Sequence, residues 1–260
     1  MNNTQKARNV LACISIQEEG NWYRIYRRVT EEDFPSEKEI EEALNKIKCN
    51  FITLVDEDYP LELKYINRPP FVIFYYGDLS LLTDNSKKML AVIGSREFTE
   101  YGAMATRKIV SEVAKDVIVI SGLAKGIDAI AHETAMNEGG KTIAVLGSGI
   151  DYCYPSDNYP LYKRIKEGHL VISEYPGRTT PNQDHFPFRN RLIAFFARSI
   201  LVCEAGEQSG TSITVNWGLS FGRDIMCVPH PIGEQSECNR LLKEGAILVE
   251  NGSDVMENMH

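Results

Sequence analysis

The sequence lacks any long apolar run. None of its uninterrupted apolar stretches approaches the roughly 18 residues that a helix needs to cross a bilayer. Its first residues, M-N-N-T-Q-K-A-R, carry no apolar core of the kind that a secretion signal has. We therefore expect a cytoplasmic protein without a membrane partner.

The chain also lacks paired cysteines. Its six cysteines form no C-x-x-C motif, and Cys203 and Cys227 lie in apolar runs that are typical of strands. This setting favours buried free thiols over disulfides or zinc ligands. We expect no metal site, no redox chemistry and no cofactor.

Positive charge is not in excess. The 28 basic and 36 acidic side chains give a formal net charge of −8, whereas nucleic-acid-binding proteins usually carry a basic surface. Residues 76 to 230, however, hold 16 basic and 17 acidic side chains and are nearly neutral. A local positive groove is therefore compatible with this middle part of the chain.

What the sequence does contain, from residue 89 onward, is a regular alternation of apolar runs and amphipathic segments. The repeat is about 25 residues, which predicts a parallel, doubly wound α/β sheet. The predicted strands are 89–93, 117–120, 142–146, 170–173, 200–203 and 225–228, and the predicted helices include 127–136, 161–165, 192–197 and 213–221.

The N-terminal part has a different pattern. Val10, Leu11 and Ile14 have helical spacing, and Ser36 with Glu39 has the form of a capping box. We predict a small helical domain over residues 1–55, acting as a structural appendage, and an α/β domain over 56–260. The runs 51–55 and 71–76 are predicted to add strands at the edge of the main sheet.

Small residues follow four of the predicted strands. In an open parallel sheet these turns share the carboxyl edge, where ligands bind. Each turn by itself is equally compatible with an ordinary connection, but after residue 93 we expect backbone N–H groups and a helix N-terminus to hold a phosphate. The turns are Gly94-Ser95-Arg96, Ser121-Gly122, Gly147-Ser148-Gly149, and Glu204-Ala205-Gly206 with Ser209-Gly210-Thr211.

Seven segments in the same order resemble the DNA processing protein A family, also called DprA or Smf. They are A-V-I-G-S-R-E-F-T-E-Y-G, S-G-L-A-K-G-I-D-A-I-A-H, T-I-A-V-L-G-S-G-I-D-Y-C-Y-P, S-E-Y-P-G, F-P-F-R-N-R-L-I, E-A-G-E-Q-S-G-T-S-I-T and G-R-D-I-M-C-V-P. The resemblance implies an extended Rossmann-like fold that binds single-stranded DNA and protects incoming DNA. It also implies a homodimer that helps load the recombinase RecA in natural transformation.

The same resemblance implies a set of DNA-binding residues. Arg96 matches the arginine that follows the family's first glycine turn, and a guanidinium offers a phosphate two parallel donors. Phe186 and Tyr175 are candidates for base stacking, whereas we expect Phe188 in the core. The full set is Gly94, Ser95, Arg96, Ser121, Gly122, Lys125, Gly126, Lys163, Arg189, Asn190, Arg191, Ser209, Gly210 and Thr211.

Structural roles are the alternative for the arginines. Arg96 would then pair with Asp128 or Glu133, and Arg189 and Arg191 would cap a helix that begins near residue 192. One departure from the family pattern also matters. The stretch Y-P-S-D-N at 154–158 lacks the basic residue that relatives commonly carry there, and Lys163 and Arg164 are the candidate substitutes.

No catalytic arrangement emerges. Asp128 and His132 are four residues apart on a predicted helix, which indicates an i,i+4 side-chain pair. No serine or cysteine lies at a spacing that would indicate a nucleophile for His132. Glu204 and the glycines that follow it form a stretch that only loosely resembles the glycine-rich turn of Rossmann-like nucleoside monophosphate phosphoribohydrolases. We expect a protein that is not an enzyme, with such a nucleotide-binding enzyme as the alternative.

The C-terminal part suggests an interface. One short helix and one short strand need to bury fewer apolar side chains than this segment carries. The apolar side chains are Leu241, Leu242, Ile247 and Leu248. Because exposed apolar patches mark interfaces, we predict that these four side chains form the dimer contact.

Overall fold

The structure is a computed structural model that describes residues 3–83, 86–206, 210–232 and 236–259, so the predicted site residue Ser209 lies outside the described residues. In these ranges the strands are β1 (Asn50–Thr53), β2 (Val72–Gly77), β3 (Lys88–Gly94), β4 (Val117–Ser121), β5 (Lys141–Leu146), β6 (Leu170–Ser173), β7 (Ser199–Glu204), β8 (Asp224–Cys227) and β9 (Ile247–Leu248). The helices are α1 (Asn3–Gln17), α2 (Trp22–Thr30), α3 (Glu37–Leu44), α4 (Glu100–Val113), α5 (Ile127–Asn137), α6 (Tyr159–Gly168), α7 (His185–Phe196), α8 (Thr211–Ser220), α9 (Glu237–Lys243) and α10 (Gly252–Asn258).

All nine strands belong to one sheet with the order β1-β2-β6-β5-β4-β3-β7-β8-β9. Every neighbouring pair from β6 to β9 is parallel, while β1 and β2 add an antiparallel hairpin at one edge. Strand β4, V-I-V-I-S, is buried along its whole length because helices cover both faces of the sheet. The predicted doubly wound, mostly parallel sheet with edge strands is confirmed.

The sheet reverses its winding between β3 and β7. Helix α4 follows β3 and packs Ile109 and Val110 on one face. Helix α8 follows β7 and packs Val215 on the opposite face. Two neighbouring strands whose helices leave to opposite faces define a topological switch point, and a crevice opens at the carboxyl ends of such strands.

The N-terminal helices cover one end of the sheet. Ile14 of α1 and Ile25 of α2 share an apolar cluster with Phe74 of β2 and Leu146 of β5. The capping box of α3 forms as predicted, with Ser36 at the N-cap. Strand β1, from the predicted N-terminal domain, pairs with β2 in the main sheet. The domain division at residue 55 stays a prediction.

The cysteines are free thiols, and Cys13, Cys203, Cys227 and Cys238 are buried. Within the described ranges, no helix is both long enough and apolar enough to cross a membrane.

Asp128 and His132 do not pair, so this prediction is wrong. The Asp128 carboxylate accepts hydrogen bonds from the backbone N–H groups of Gly122 (3.1 Å) and Ala124 (3.3 Å), which close the loop before α5. The His132 ring turns toward β5, where its Nδ1 lies 2.6 Å from Thr142 Oγ1. A buried carboxylate needs donors, and the loop's backbone supplies them.

The His132 ring is neutral and fully buried. The Thr142 hydroxyl donates to the Val119 carbonyl at 2.8 Å, so Nδ1 of His132 must be the donor to Thr142 Oγ1. Its Nε2 has no hydrogen-bond partner among the described residues. Burial lowers the pKa of His132 to about 3, with smaller contributions from the positive charges of His169 and Arg189.

This depressed pKa predicts an acid-labile fold. An unfolded histidine titrates near pH ~6.5, so His132 contributes stability that is present above this pH and is lost as pH falls toward its folded pKa. The loss should be about 1.4 kcal/mol for each pH unit between about pH 6 and pH 4. Urea unfolding should show this loss in the wild type relative to His132→Gln, which does not titrate. Parallel profiles for the two proteins would contradict the assignment.

Candidate functional site

A crevice of about 710 Å³ opens where β3 and β7 end, and we call it the switch-point crevice. An adjoining hollow of about 80 Å³ continues it toward β4. Residues that are distant in sequence meet here because parallel strands end at the same edge of the sheet. Of the predicted site residues, Gly94, Ser95, Arg96, Arg189, Asn190, Gly210 and Thr211 line the crevice, and Gly122 and Lys125 line the hollow.

The turn after β3 is packed too closely for any residue but glycine. A Cβ atom at Gly94 would lie 2.7 Å from the Glu204 carbonyl oxygen and from the Ile127 side chain. The Ser95 N–H donates to that same carbonyl at 2.8 Å, and the Ile127 N–H donates to the Ser95 carbonyl at 3.2 Å. Gly126, with φ +81°, lies against Ser95, where a Cβ would overlap the carbonyl oxygen. Gly126 therefore packs against the backbone of the turn and does not line the crevice.

The N-terminus of α4 carries the protein's own carboxylate. Thr99 donates its N–H to Glu204 Oε1 (3.1 Å) and Oε2 (3.0 Å), and its hydroxyl lies 3.2 Å from Oε2. The Gly102 N–H donates to Thr99 Oγ1 at 3.1 Å. A carboxylate is favoured here because the helix dipole and free N–H groups attract an anion. The structure corrects the expectation that the Gly94 turn and this helix hold a phosphate: Glu204 already takes that place.

Arg96 is exposed on the wall of the crevice beside two aromatic rings. Its Cζ lies 5.5 Å from the centroid of the Phe186 ring, and the centroid of Tyr154 is 5.6 Å from that of Phe186. Across the described ranges no carboxylate forms an ion pair with Arg96, so the pairing with Asp128 or Glu133 does not form. A cation next to one half-buried and one exposed ring suits a ligand that carries both phosphates and flat bases.

Arg189 is a fixed cation in the same wall. It is 5% exposed, and its Nη1 donates to the carbonyls of Gly122 (2.8 Å) and Val145 at the ends of β4 and β5. Its Nε donates to Asn190 Oδ1 at 3.0 Å. Burial lowers the pKa of Arg189 to about 10 although the charge of Asp128 opposes this shift, so the side chain stays charged at neutral pH.

Arg191 lies elsewhere, and its predicted role in the crevice is corrected. Its guanidinium is fully buried and donates to both oxygens of Glu174 (2.5 and 2.6 Å), to the Phe188 carbonyl (3.0 Å) and to the Arg68 carbonyl (2.9 Å). Helix α7 begins at His185 and not near residue 192, so the arginines lie inside it and do not cap it. Residues two apart on a helix point to opposite sides, and therefore only Arg189 faces the crevice.

Other predicted residues are also placed outside the crevice. Ser121 is buried and donates its hydroxyl to the Val92 carbonyl at 2.7 Å. Lys163 lies on α6 with its Nζ 3.9 Å from Glu167. Tyr175 is 3% exposed, so it offers no ring face to a base. Ser121 and Tyr175 belong to the interior and Lys163 to the outer surface of α6, so none of them lines the crevice.

Phe188 is half-buried, not fully in the core as expected. Its ring lies under the guanidinium of Arg191, with Cζ 3.8 Å from the ring centroid. Phe188 therefore supports the buried arginine.

The stretch at 154–158 contributes both an unexpected ring and an unexpected acid. Tyr154, 43% exposed, was not among the predicted site residues, although the Y-P dipeptide in the loop between β5 and α6 was a signal for it. Asp157 forms an ion pair with Lys125 at 2.5 Å, and this hydrogen bond raises the pKa of the lysine. The rim of the crevice thus gives its lysine an acidic partner.

The leucines predicted for a dimer contact are mostly used within the chain. Leu241 is 6% exposed and belongs to the core, and Leu242 and Ile247 pack partly against the core clusters. Leu248 is 50% exposed on β9, the last strand of the sheet. The predicted apolar surplus is therefore reduced: Leu248 is exposed, Leu242 and Ile247 are half-buried, and Leu241 is in the core because α9 packs on β7 and β8.

Fold and crevice together define a Rossmann-like α/β protein with its candidate ligand site at the switch point of the sheet. Residues 50–260 match the model of the DNA recombination-mediator protein A family, and the chain belongs to that family. The DNA processing protein DprA of Streptococcus pneumoniae is 41% identical over 206 residues, which are 78% of this chain and 72% of that protein.

Solved structures of the family align closely. The X-ray structure of DprA from Streptococcus pneumoniae superposes with a TM-score of 0.81 at 33% identity, covering 98% of this chain and 93% of that one. DNA processing protein A from Helicobacter pylori superposes with a TM-score of 0.73 at 27% identity, covering 82% of this chain and 96% of that one. The Helicobacter structure concerns a single-stranded DNA binding mode of that protein.

Because Arg191 is buried, we expect its replacement to destabilise the folded protein. Arg191→Ala leaves the Glu174 carboxylate buried without its partner, which should lower the free energy of unfolding by about 3–5 kcal/mol. The matched control is Arg178→Ala, which removes an exposed arginine and should change stability by less than about 0.5 kcal/mol. Urea titrations at neutral pH measure both. An Arg191 variant as stable as its control would mean that the pair is not a structural constraint.

Proposed function

We propose that this protein binds single-stranded DNA in the switch-point crevice and acts as a recombination mediator that protects incoming DNA and helps load RecA during natural transformation. The observation that carries this proposal is the meeting of Arg96, Arg189, Tyr154 and Phe186 on one wall. Membership in the recombination-mediator family supports it, as does the single-stranded DNA binding mode of the Helicobacter relative.

The geometry favours a single strand over a duplex. Bases in a duplex are stacked on each other, so their faces are not available to side chains, whereas a single strand can place them on aromatic rings. Tyr154 and the half-buried Phe186 offer such rings at the mouth of the crevice. Arg96 beside them supplies a charge for the phosphate that links two stacked bases.

The crevice supports binding more than catalysis. A nucleoside monophosphate phosphoribohydrolase, the enzyme considered above, would need a carboxylate that is free to act on its substrate. Glu204, the candidate for that role, has its carboxylate held by Thr99 at the start of α4 and does not line the crevice. We therefore favour a protein that binds DNA without transforming it.

Arg96 tests the proposal directly. Arg96→Ala should weaken single-stranded DNA binding by roughly 1.5 to 3 kcal/mol, the range for hydrogen bonds to charged groups, because a phosphate loses its bidentate donor. Its melting temperature should stay unchanged since the side chain is exposed and forms no ion pair with a described residue. Arg96→Lys should recover only part of the loss. The measurement is a fluorescence titration over a salt series, with Arg107→Ala, an exposed arginine further along α4, as the matched control.

Salt dependence sharpens this experiment. Wild-type affinity for single strands should fall with salt at a slope of about −0.7 for each phosphate contact, and the Arg96 variant should have a shallower slope than the Arg107 control. Equal affinity for blunt duplex and single strand would count against the crevice. So would an Arg96 variant that binds as tightly as the wild type.

We also propose a homodimer that forms through Leu248 and the open edge of β9. The sheet ends at β9, and no described residue pairs with its outer edge. A strand edge of this kind is a template for pairing with a second chain. The exposed Leu248 side chain adds apolar area at the same place.

Leu248→Arg should therefore yield a folded monomer, because a charge at the centre of an apolar contact opposes association. Light scattering at tens of micromolar measures the oligomer, and circular dichroism checks the fold. Leu219→Arg is the matched control: Leu219 is 59% exposed on α8, and its replacement should leave the dimer intact. A wild-type protein that is monomeric under these conditions would rule out the proposed contact.

A further inference from the structure

Helix α2 carries an unusual combination of rings and cations. Its sequence is W-Y-R-I-Y-R-R-V-T, with three arginines and no acidic residue. Ile25 is buried against the sheet, so the remaining side chains face outward or lie at the boundary. We call the outward surface the α2 face, and it consists of Trp22, Tyr23, Arg24, Tyr26 and Arg27 together with Arg68, which lies on it.

The rings of the α2 face are arranged before any ligand binds. Trp22 and Tyr26 are stacked, with centroids 5.0 Å apart and planes at 12°, and Tyr23 meets Trp22 edge to face at 5.6 Å. Tyr23 is 56% exposed and Tyr26 is 50% exposed. Large exposed rings of this kind are the platform on which single-stranded nucleic acids stack their bases, and ordering them in advance removes part of the entropy cost.

Cations flank these rings. The Arg68 guanidinium lies 4.9 Å from the Tyr23 ring centroid. Arg24 and Arg27 are exposed and form no ion pair with any residue that the structure describes. Arg28, by contrast, is used within the fold, with Glu18 at 3.3 Å and Asp33 at 2.9 Å. Tyr23, Tyr26 and Arg27 have the i, i+3, i+4 spacing that places side chains on one side of a helix.

The α2 face and the switch-point crevice are linked through the loop before β2 and helix α7. The Trp22 indole donates to the Pro69 carbonyl at 2.8 Å, next to Arg68. The Arg68 carbonyl accepts from Arg191 of α7, and the first turns of α7 carry the crevice residues Phe186 and Arg189. The two surfaces therefore share α7 and the loop before β2 as a common support.

We propose that the α2 face is a second contact for single-stranded DNA, taken up by the part of a strand that extends beyond the crevice. The proposal rests on the proposed function for the identity of the ligand. Exposed rings beside unpaired arginines match both parts of a nucleotide, the base and the phosphate. In a chain of net charge −8, Arg24 and Arg27, which form no ion pair with a described residue, are also a local attraction for a polyanion.

Strand length separates the two contacts. An oligothymidine of about 6 nucleotides is near the lower end of what one binding module covers, whereas one of about 30 exceeds it. We expect the wild type to bind the longer strand more tightly. The double variant Arg24→Ala with Arg27→Ala should bind the longer strand about tenfold more weakly. The slope of its affinity against salt should be shallower by about 1.4, which is two phosphate contacts at about 0.7 each. Its affinity for the short strand should not change.

Two controls complete the experiment. Lys6→Ala with Lys38→Ala removes two exposed cations from α1 and α3 and should change neither affinity. Tyr23→Ala should weaken binding of the longer strand with no change in salt slope, because a ring carries no charge. A long strand with photoreactive thymines should crosslink to the peptide that contains Tyr23 and Tyr26.

The inference is overturned if the arginine double variant binds the long strand like the wild type, if the lysine control loses as much affinity, or if no crosslink reaches α2. A surface that binds another protein instead would leave the affinity of the arginine double variant unchanged and give no crosslink to α2. Failure of the proposed function has a different signature: Arg96→Ala would then bind the short strand as tightly as the wild type, whatever the α2 variants do.

Discussion

The buried ion pair between Arg191 and Glu174 is the constraint on which the site depends. A cation removed from water must have its hydrogen bonds satisfied, and Arg191 achieves this by joining α7, the loop after β6 and the loop that carries Arg68. With α7 held in one orientation, Phe186 and Arg189 face the crevice. The same loop lies under α2, so one buried group positions both candidate DNA-binding surfaces.

A second constraint determines how the crevice attracts its ligand. Glu204 already occupies the N-terminus of α4, where Rossmann-like folds often bind a phosphate. Positive charge must therefore come from side chains at the rim. Among these, Lys125 already forms an ion pair with Asp157. In a chain of net charge −8, this leaves Arg96, the buried Arg189 and the aromatic rings as the main attraction in the crevice, which suits a flexible strand better than a compact nucleotide.

The fold was largely predictable because its signals are local. Strands β3 to β8 were predicted to within one or two residues, since strands buried on both faces read as continuous apolar runs. The first two turns of helix α7 were not predicted; they contain Pro187, and proline is tolerated at the start of a helix. That error concealed the helical phase, which decides that Arg189 faces the crevice and Arg191 the interior.

The sequence by itself determined the class of sheet, the turns at its carboxyl edge and the family, because periodicity, glycine positions and motif order are written along the chain. Tertiary structure alone decided which partner each charge has. Arg191 meets Glu174 and Glu204 meets Thr99 across many intervening residues. A charge binds whatever group the packing brings within hydrogen-bond distance, and that distance depends on how helices and strands are stacked and not on any local pattern.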